Sequence, residues 1–286
     1  LDVVVFAVTD DAPRLLVVAG DDSPFRVPSA TLSDETTLDR AMRHAIEAQT
    51  GLNVSYVEQL YTFGDLGREA GENTERTVSV AYLALVQETD VASGAEWLDY
   101  YEALPWEDHR DGAPAVLEEI HTALDEWAGS DETRRSRVGV AFGEPFDGVR
   151  ALDRYELLYE AELVDEWWID RSRRGAGPTF GRAMHLDGRR IVATALGRLR
   201  GKITYRPVVF DLLGASFTLL ELQRCTEALV GIRLHKQNFR RLVDRAGLVE
   251  GTGERASRGG RPAELFRYRP EVQLEQLRPG VGQPYR

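Results

Sequence analysis

The sequence predicts an α+β fold in two parts: a sheet domain, then a smaller domain of helices that ends in a hairpin. Three observations predict it. The chain has 286 residues, enough for two domains, and its charge divides between the two ends. β-prone and helical stretches alternate over residues 1–130. After residue 188, helical stretches are followed by two short β-prone runs around a glycine-rich tip.

The charge of the chain is very unevenly distributed. The net charge is −12, but residues 188–286 carry 19 Lys and Arg against 9 Asp and Glu, a balance of +10. The remaining 187 residues carry 16 against 38, a balance of −22. An acidic body repels a polyanion such as DNA, so only the basic end is expected to approach one.

Composition excludes several classes of protein. No run of 18 apolar residues occurs, so no membrane-spanning helix and no membrane partner are expected. The single cysteine, Cys225, cannot form an intrachain disulfide and is predicted to be a core residue. The five histidines do not have zinc-site spacing. A cytoplasmic protein without metal or cofactor is expected.

The elements of the first domain follow from apolar periodicity. Strands are expected at 1–8, 15–18, 25–28, 54–63 and 77–86, a short strand within 97–104, and helices at 36–50 and 114–128. Together they predict a compact domain over residues 1–130, with strands around a helix and a second helix after the sheet.

Residues 131–187 are predicted to be an extended linker or inserted helical segment. We expect a charged link at 130–136, a strand at 138–142, one helix at 152–168 and a loop at 170–181. A further helix is expected at 186–202. The apolar faces of the 152–168 and 186–202 helices predict either linker and dimer contacts or plain core.

The third part, residues 188–286, has the most specific pattern. Thr218 and Glu221 form a capping box before an apolar helix that Gly231 ends. A second helix begins near Lys236 and ends at Gly247, with one apolar stripe formed by Phe239, Leu242, Val243 and Ala246. Two helices followed by a basic hairpin are typical of a winged helix-turn-helix.

The polar face of that second helix suits double-stranded operator DNA. Arg, Gln and Asn side chains pair with base edges in the major groove, and basic residues at a wing tip contact phosphates or the minor groove. The candidate DNA-binding residues are Lys236, Gln237, Asn238, Arg240, Arg241 and Arg245 on the helix and Arg258 and Arg261 at the tip. The alternatives are an ordinary solvated basic helix and a module that docks a protein partner.

Three segments support a family resemblance. They are QLYTFGDLGR at 59–68 with VSVAYLAL at 78–85, AMHLDGRRIVATALGRLRGKI at 183–203, and FTLLELQ at 217–223 with NFRR at 238–241 and RP at 261–262. They resemble the Nudix-related transcription regulators typified by NrtR. The resemblance implies a Nudix-like α/β/α sandwich followed by a winged helix-turn-helix domain. It also implies a homodimer, operator DNA, and repression relieved by a nucleotide-like effector such as ADP-ribose or another NAD-related compound. Other members of the wider group sense sugars.

The Nudix motif itself is degenerate. A working box, G-x5-E-x7-R-E-U-x-E-E-x-G-U, clusters carboxylates on one helix to bind a divalent metal ion against a diphosphate. If Gly51-Leu52 is the terminal pair, the two metal-binding positions are Ala48 and Gln49, and the Arg-Glu pair is His44-Ala45. Hydrolysis is therefore expected to be absent or very slow. An active hydrolase of nucleoside diphosphate derivatives is the alternative.

A Nudix-shaped pocket that binds without cutting leaves a set of candidate effector contacts. These are Arg26, His44, Gln49, Tyr61, Phe63 and Arg68. A guanidinium group can pair bidentately with a phosphate, and an aromatic ring can stack on a base. The alternatives are plain helix surface for His44 and Gln49 and a loop arginine without a ligand for Arg68.

Overall fold

The structure is a computed structural model that describes residues 1–19, 25–32, 37–54, 56–64, 78–173, 175, 177–256 and 262–271. Its strands are β1 (Asp2–Thr9), β2 (Ala12–Val18), β3 (Tyr56–Phe63), β4 (Ser79–Leu85), β5 (Ala95–Asp99), β6 (Val249–Ala256) and β7 (Ala263–Tyr268). Its α-helices are α1 (Leu38–Thr50), α2 (Tyr100–Ala103), α3 (Val116–Ala128), α4 (Glu132–Phe142), α5 (Ala151–Glu160), α6 (Asp165–Ile169), α7 (Gly188–Ile203), α8 (Leu219–Val230) and α9 (Lys236–Ala246). Short 3-10 turns lie at Pro105–Glu107, Gly148–Arg150 and Val208–Leu212.

A five-stranded mixed sheet lies between two apolar cores. Its order is β3-β4-β1-β2-β5, with β1 parallel to β4 and the other pairs antiparallel. Side chains alternate along β1: Val3 and Val5 enter one core with α1, whereas Val4 and Phe6 enter the other with α7 and α8. The predicted α/β/α sandwich followed by a winged helix-turn-helix is confirmed.

Helix α1 has a cap at each end. The Thr37 side chain accepts from the Arg40 N–H, and Gly51 ends the helix in the left-handed conformation, φ 75°, with its N–H donated to the Glu47 carbonyl. Met42 and Ile46 face the sheet and are fully buried. The apolar spacing thus fixes which side of the Nudix-like helix faces solvent.

The sequence prediction was wrong for residues 130–142. The expected charged link and strand form one helix, α4, because the Asp131 side chain accepts from the backbone N–H groups of Thr133 and Arg134. The apolar run at 138–142 is the last turn of that helix, where Ala141 and Phe142 are buried.

The helix expected at 152–168 is two helices, α5 and α6. Glu162 lies between them with φ 66°, in the left-handed region, so the chain turns there. Residues 25–28, predicted as a strand, form isolated bridges only, at Arg26 with Val18 and, just beyond, at Ser29 with Asp2.

For the helices predicted at 152–168 and 186–202, the sequence left open whether the apolar faces form linker and dimer contacts or plain core. In the structure, the apolar faces of α5 and α7 lie in the core. Tyr155 and Leu158 of α5 are fully buried, as are Ala195 and Leu199 of α7. These side chains pack against the chain's own sheet and helices. They are therefore not available to a second copy.

The C-terminal elements match their prediction. The capping box of Thr218 and Glu221 is present, and the Cys225 side chain is buried. Strands β6 and β7 form an antiparallel hairpin, and Phe217 exchanges two backbone hydrogen bonds with Phe266 of β7, at 2.9 and 2.8 Å. Over the described part of the chain, no helix is both long and apolar enough to cross a membrane.

Candidate functional site

Helix α9 has one buried face and one polar face. Phe239 and Val243 are 2% and 0% exposed and fix the helix against the domain core. The six polar residues predicted to contact DNA are all exposed: Lys236, Gln237, Asn238, Arg240, Arg241 and Arg245. All six side chains are therefore accessible at the surface of α9.

The cationic side chains on the polar side of α9 are exposed to solvent. The Arg241 guanidinium donates to the Asn238 side-chain oxygen at 3.4 Å, one helical turn away. Among the residues that the structure describes, no carboxylate forms an ion pair with Lys236, Arg240 or Arg245. Unpaired exposed guanidinium and ammonium groups are suited to bind phosphates and base edges.

A buried polar cluster fixes the turn between α8 and α9, and the sequence prediction missed it. The Gln223 amide donates to the Glu227 carboxylate at 2.8 Å and to the Leu234 carbonyl at 3.0 Å. Glu227 in turn accepts from the Leu234 N–H at 2.9 Å and from Arg233 at 3.1 Å. Because a buried carboxylate requires such partners, the cluster sets where α9 begins. Gln and Glu four residues apart in an apolar helix are the signal for it.

The wing is described only in part. Its two strands end at Ala256 and resume at Ala263, so the predicted contacts Arg258 and Arg261 lie outside the described residues. Arg267 of β7 donates to Glu250 of β6 at 2.6 Å, a cross-strand ion pair. This ion pair joins the two strands near the base of the hairpin.

The C-terminal end of α8 docks on the sheet domain. Carbonyls in the last turn of a helix lack helical partners. Here the hydroxyls of Tyr100 and Tyr101 donate to the Ala228 carbonyl at 2.8 and 2.9 Å. The Arg200 Nε donates to the Leu229 carbonyl at 2.9 Å. The two tyrosine contacts fix the first helix of the helix-turn-helix against the first domain, and the Arg200 contact joins it to α7.

Glu107 forms a buried ion-pair cluster beside that docking point. Its carboxylate, 0% exposed, accepts from Arg154 Nε at 2.5 Å and Nη2 at 2.8 Å, and also from Arg200. Burial by itself would raise the pKa of Glu107, but the two guanidinium groups outweigh it and keep that pKa below its ordinary value. The cluster joins the 3-10 turn after the sheet to α5 and α7. The sequence prediction also missed it, although an arginine within the buried stripe of α5 is a signal.

The candidate effector residues lie in several places. Gln49 bonds twice to the backbone of Ser29, accepting from its N–H at 3.3 Å and donating to its carbonyl. The rings of Tyr61 and Phe63 meet edge to face at 5.3 Å. His44 and Arg26 are exposed, and Arg68 lies outside the described residues.

These residues do not share one face of the sheet. Phe63 packs against the core that contains α7 and α8, whereas Gln49 belongs to α1, on the other face. Neighbouring contacts connect the two at the end of the sheet where β3 ends. Asp2 forms a bridge with Ser29, and it accepts a hydrogen bond from Ser79, which is paired with Phe63.

The positions that the sequence prediction aligned with the Nudix box lie on α1. Ala48 and Gln49, the positions predicted to correspond to metal-binding glutamates, lie in its last turn, and Ala45 is buried. Over the described residues, no three His, Cys, Asp or Glu side chains are grouped so that they could bind a metal ion. The nearby acidic residues at 34 and 35 lie outside that part of the chain.

Comparison with known sequences identifies the C-terminal domain. Residues 209–268 match the family described as the NrtR DNA-binding winged helix domain. A curated relative is the ADPR responsive transcriptional repressor NtrR of Acinetobacter baylyi, 34% identical over 104 residues. That match covers 35% of this chain and 42% of the relative, so less than half the length of the relative is matched.

Comparison with solved structures extends over nearly the whole chain. The structure of Shewanella oneidensis NrtR in complex with a 27mer DNA aligns with a TM-score of 0.58 and 20% identity, covering 95% of this chain and 93% of that one. A MutT/nudix family protein from Enterococcus faecalis aligns with a TM-score of 0.57 and 16% identity, covering 94% and 85%. At sequence identities of 20% and 16%, the structural similarity establishes the fold of this chain. The chain is therefore of the NrtR type in architecture, a Nudix-like domain followed by an NrtR-type winged helix domain.

Proposed function

We propose that this chain is a DNA-binding transcriptional regulator whose helix α9 contacts the base edges of an operator. The observation that supports the proposal most directly is the exposed face of Lys236, Gln237, Asn238, Arg240, Arg241 and Arg245 within a domain of the NrtR type. Arginine and amide side chains at this spacing fit the donors and acceptors of the major groove. Arg258 and Arg261 at the wing tip are proposed to contact the DNA backbone.

The proposed regulator acts as a homodimeric repressor. A winged helix gains affinity and specificity when two copies bind a palindromic site. The matched relative from Acinetobacter baylyi is a repressor by name, which supports the sign of regulation. A salt-sensitive, dimer-dependent complex with double-stranded DNA is the expected form.

The proposed effector is ADP-ribose or another NAD-related nucleotide. The same relative is responsive to ADPR by name, and this chain has a Nudix-like sandwich at its N-terminal side. We propose that Arg26, His44, Gln49, Tyr61, Phe63 and Arg68 contact the effector. We assign effector binding to residues 1–130, the extended linking segment to 131–187 and DNA binding to 188–286.

The proposed effector domain binds without hydrolysis. The metal-binding positions of the Nudix helix are Ala48 and Gln49, which supply no carboxylate to hold a divalent cation. Incubation of the full chain with ADP-ribose and Mg²⁺ or Mn²⁺ is expected to leave the nucleotide intact. Multiple-turnover release of AMP that depends on the metal would identify the chain as a hydrolase instead.

Fluorescence anisotropy tests the DNA assignment. The probe is labelled DNA from upstream of the chain's own gene, and the control is a scrambled duplex of equal length. We expect selective binding to the upstream DNA whose affinity falls steeply between 50 mM and 200 mM salt, because phosphate contacts release counterions. Equal binding to both duplexes, or none, would overturn the proposal and favour a protein-docking module.

A further inference from the structure

A cavity of about 210 Å³ lies between the 3-10 turn Pro105–Glu107, α3, α4 and the loop that follows α4. None of its lining residues is a candidate contact for DNA or for the effector. Two of its walls, α4 and the following loop, belong to the segment 131–187, to which no chemistry has been assigned. Binding at this cavity would therefore be separate from both proposed activities.

The interior of the cavity is apolar and largely aromatic. Trp106 and Phe142 are buried, and Leu117 and Phe146 are half-buried. An apolar protein cavity of about 150 Å³ is sufficient to bind benzene. The interior therefore has room for one benzene ring that carries a short substituent.

The mouth of the cavity, where its lining residues are exposed, carries two carboxylates. Glu118 of α3 and Glu144 of the loop after α4 both line the cavity and are both exposed, so their side chains lie where it opens to solvent. Within the described part of the chain, no cationic side chain forms an ion pair with either carboxylate. The other ionisable side chain at the mouth is the exposed His121. Two carboxylates outnumber one imidazole, so the mouth is negatively charged in either protonation state of that ring.

The other basic residues of the lining do not offset this charge at the mouth. Arg154 is 2% exposed, and its guanidinium donates to the Glu107 carboxylate and to the carbonyls of Ala141 and Asp147. Burial lowers the pKa of His109, which favours the uncharged ring at pH 7. A phosphate or carboxylate group on a ligand would therefore be repelled at the mouth, and a cationic group would be attracted.

We propose that this cavity is a second ligand site for a small aromatic cation, of the size of a benzylammonium ion. The ring lies among Leu117, Phe142 and Phe146, and the ammonium group remains at the mouth, where it pairs with the carboxylates of Glu118 and Glu144. Because the ammonium keeps part of its hydration there, the ring is buried without the cost of desolvating the whole charge. The sign of the charge distinguishes this ligand from a nucleotide.

Saturation-transfer NMR on the full chain at pH 7 tests this site with three probes of nearly equal size: benzylammonium, benzyl alcohol and benzoate. We expect benzylammonium to bind in the millimolar range and about three- to tenfold more tightly than benzyl alcohol, because only the cation forms the ion pairs. Benzoate is expected to bind most weakly. Added salt is expected to weaken benzylammonium and to leave benzyl alcohol unchanged, since salt screens exposed charges. Equal affinities for the three probes, or no binding of benzylammonium, would overturn the proposal.

Variants of the two glutamates test the ion pairs. Glu118→Gln and Glu144→Gln are each expected to weaken benzylammonium about two- to fivefold, the range for an exposed ion pair, and to leave benzyl alcohol unchanged. The matched control is Glu119→Gln, since Glu119 is exposed on α3 and does not line the cavity. Near-UV circular dichroism checks the fold of each variant. A double variant that binds benzylammonium as tightly as the unmodified chain would contradict the assignment.

A further pair of variants shows whether the probes bind in this cavity. Ala113 lines the mouth and is exposed, whereas the nearby Ala115 is exposed and does not line it. Ala113→Trp is expected to abolish binding of benzylammonium and of benzyl alcohol, and Ala115→Trp to change neither. Unchanged binding to Ala113→Trp would place the probes elsewhere and overturn the proposal.

Discussion

Loss of Glu107 is expected to disturb contacts among several elements at once. Its buried carboxylate neutralises two buried guanidinium groups, Arg154 from α5 and Arg200 from α7. Arg200 also bonds to the Leu229 carbonyl at the end of α8. One side chain thus stabilises the junction of the sheet domain, the linking segment and the helix-turn-helix.

Glu107→Gln is predicted to lower the free energy of unfolding by about 3–5 kcal/mol, because it leaves buried guanidinium charge uncompensated. Urea denaturation at pH 7 measures the change. The matched control is Glu160→Gln, which breaks the exposed pair with Arg137. That pair is screened by solvent, so Glu160→Gln is expected to lower the free energy of unfolding by about 1 kcal/mol or less. Equal losses in the two variants would contradict the role of Glu107.

The same carboxylate predicts a pH dependence of stability. The pKa of Glu107 is lower in the folded chain than its ordinary value of 4.5. Its contribution is therefore fully present above pH 4.5 and is lost as the pH falls through the folded pKa. Urea midpoints measured from pH 7 down to pH 3 are expected to fall more steeply for the unmodified chain than for Glu107→Gln. Parallel profiles would refute the assignment.

At the scale of elements, two helix ends have the same conformation in different surroundings. Gly231 ends α8 and Gly247 ends α9, both in the left-handed region with φ of 75° and 61°. A Cβ on Gly231 would lie within 3 Å of atoms of Glu107, Tyr101 and Arg200. Among the described residues, a Cβ on Gly247 would meet only the Arg269 guanidinium, at 4.0 Å.

Alanine at these two glycines separates backbone strain from crowding. Gly247→Ala is expected to cost about 1 kcal/mol, from the left-handed backbone alone. Gly231→Ala is expected to cost a further ~1–3 kcal/mol, because overpacking adds to the same strain. Thermal and urea unfolding of both variants measure the difference. Equal costs would show that the end of α8 is not packed as tightly against the sheet domain as described.

The predicted effect on DNA binding concerns helix α9. Arg241→Ala is expected to weaken binding to the upstream DNA by about 1–3 kcal/mol, the range for one good base contact, and to leave ADP-ribose binding unchanged. Arg135→Ala removes the same charge from the exposed surface of α4 and is the matched control. Equal loss of DNA and ADP-ribose binding in folded Arg241→Ala would contradict the assignment of the two activities to separate domains.

Short-range patterns made most elements predictable from the sequence, and long-range contacts did not. The capping box of α8, the stripe of α9 and the glycine ends depend on residues a few positions apart. Helix α4 was missed because the Asp131 cap lies within a charged run that resembles a link. The Glu107 cluster could not be predicted, since its partners are 47 and 93 residues away in the chain. The candidate effector contacts on either face of the sheet stay a prediction.

At the scale of the whole molecule, the sheet domain and the helix-turn-helix share one continuous apolar core. That core extends from Val4 and Phe6 of β1 to Leu222 of α8 and Phe239 of α9. The tyrosine and arginine contacts at the end of α8 fix its position against the sheet. A change in the sheet domain on effector binding therefore has a direct physical route to α9. Coupling further requires that the effector bind more tightly to one arrangement than to the other.

The affinity of the chain for its upstream DNA, measured with and without saturating ADP-ribose, tests this account most directly. We expect ADP-ribose to weaken the complex by about 5–150-fold, the usual range of allosteric coupling. By linkage, the same DNA must weaken ADP-ribose binding by the same factor. Selective DNA binding that saturating ADP-ribose leaves unchanged would contradict the account and direct the search to other effectors, sugars first.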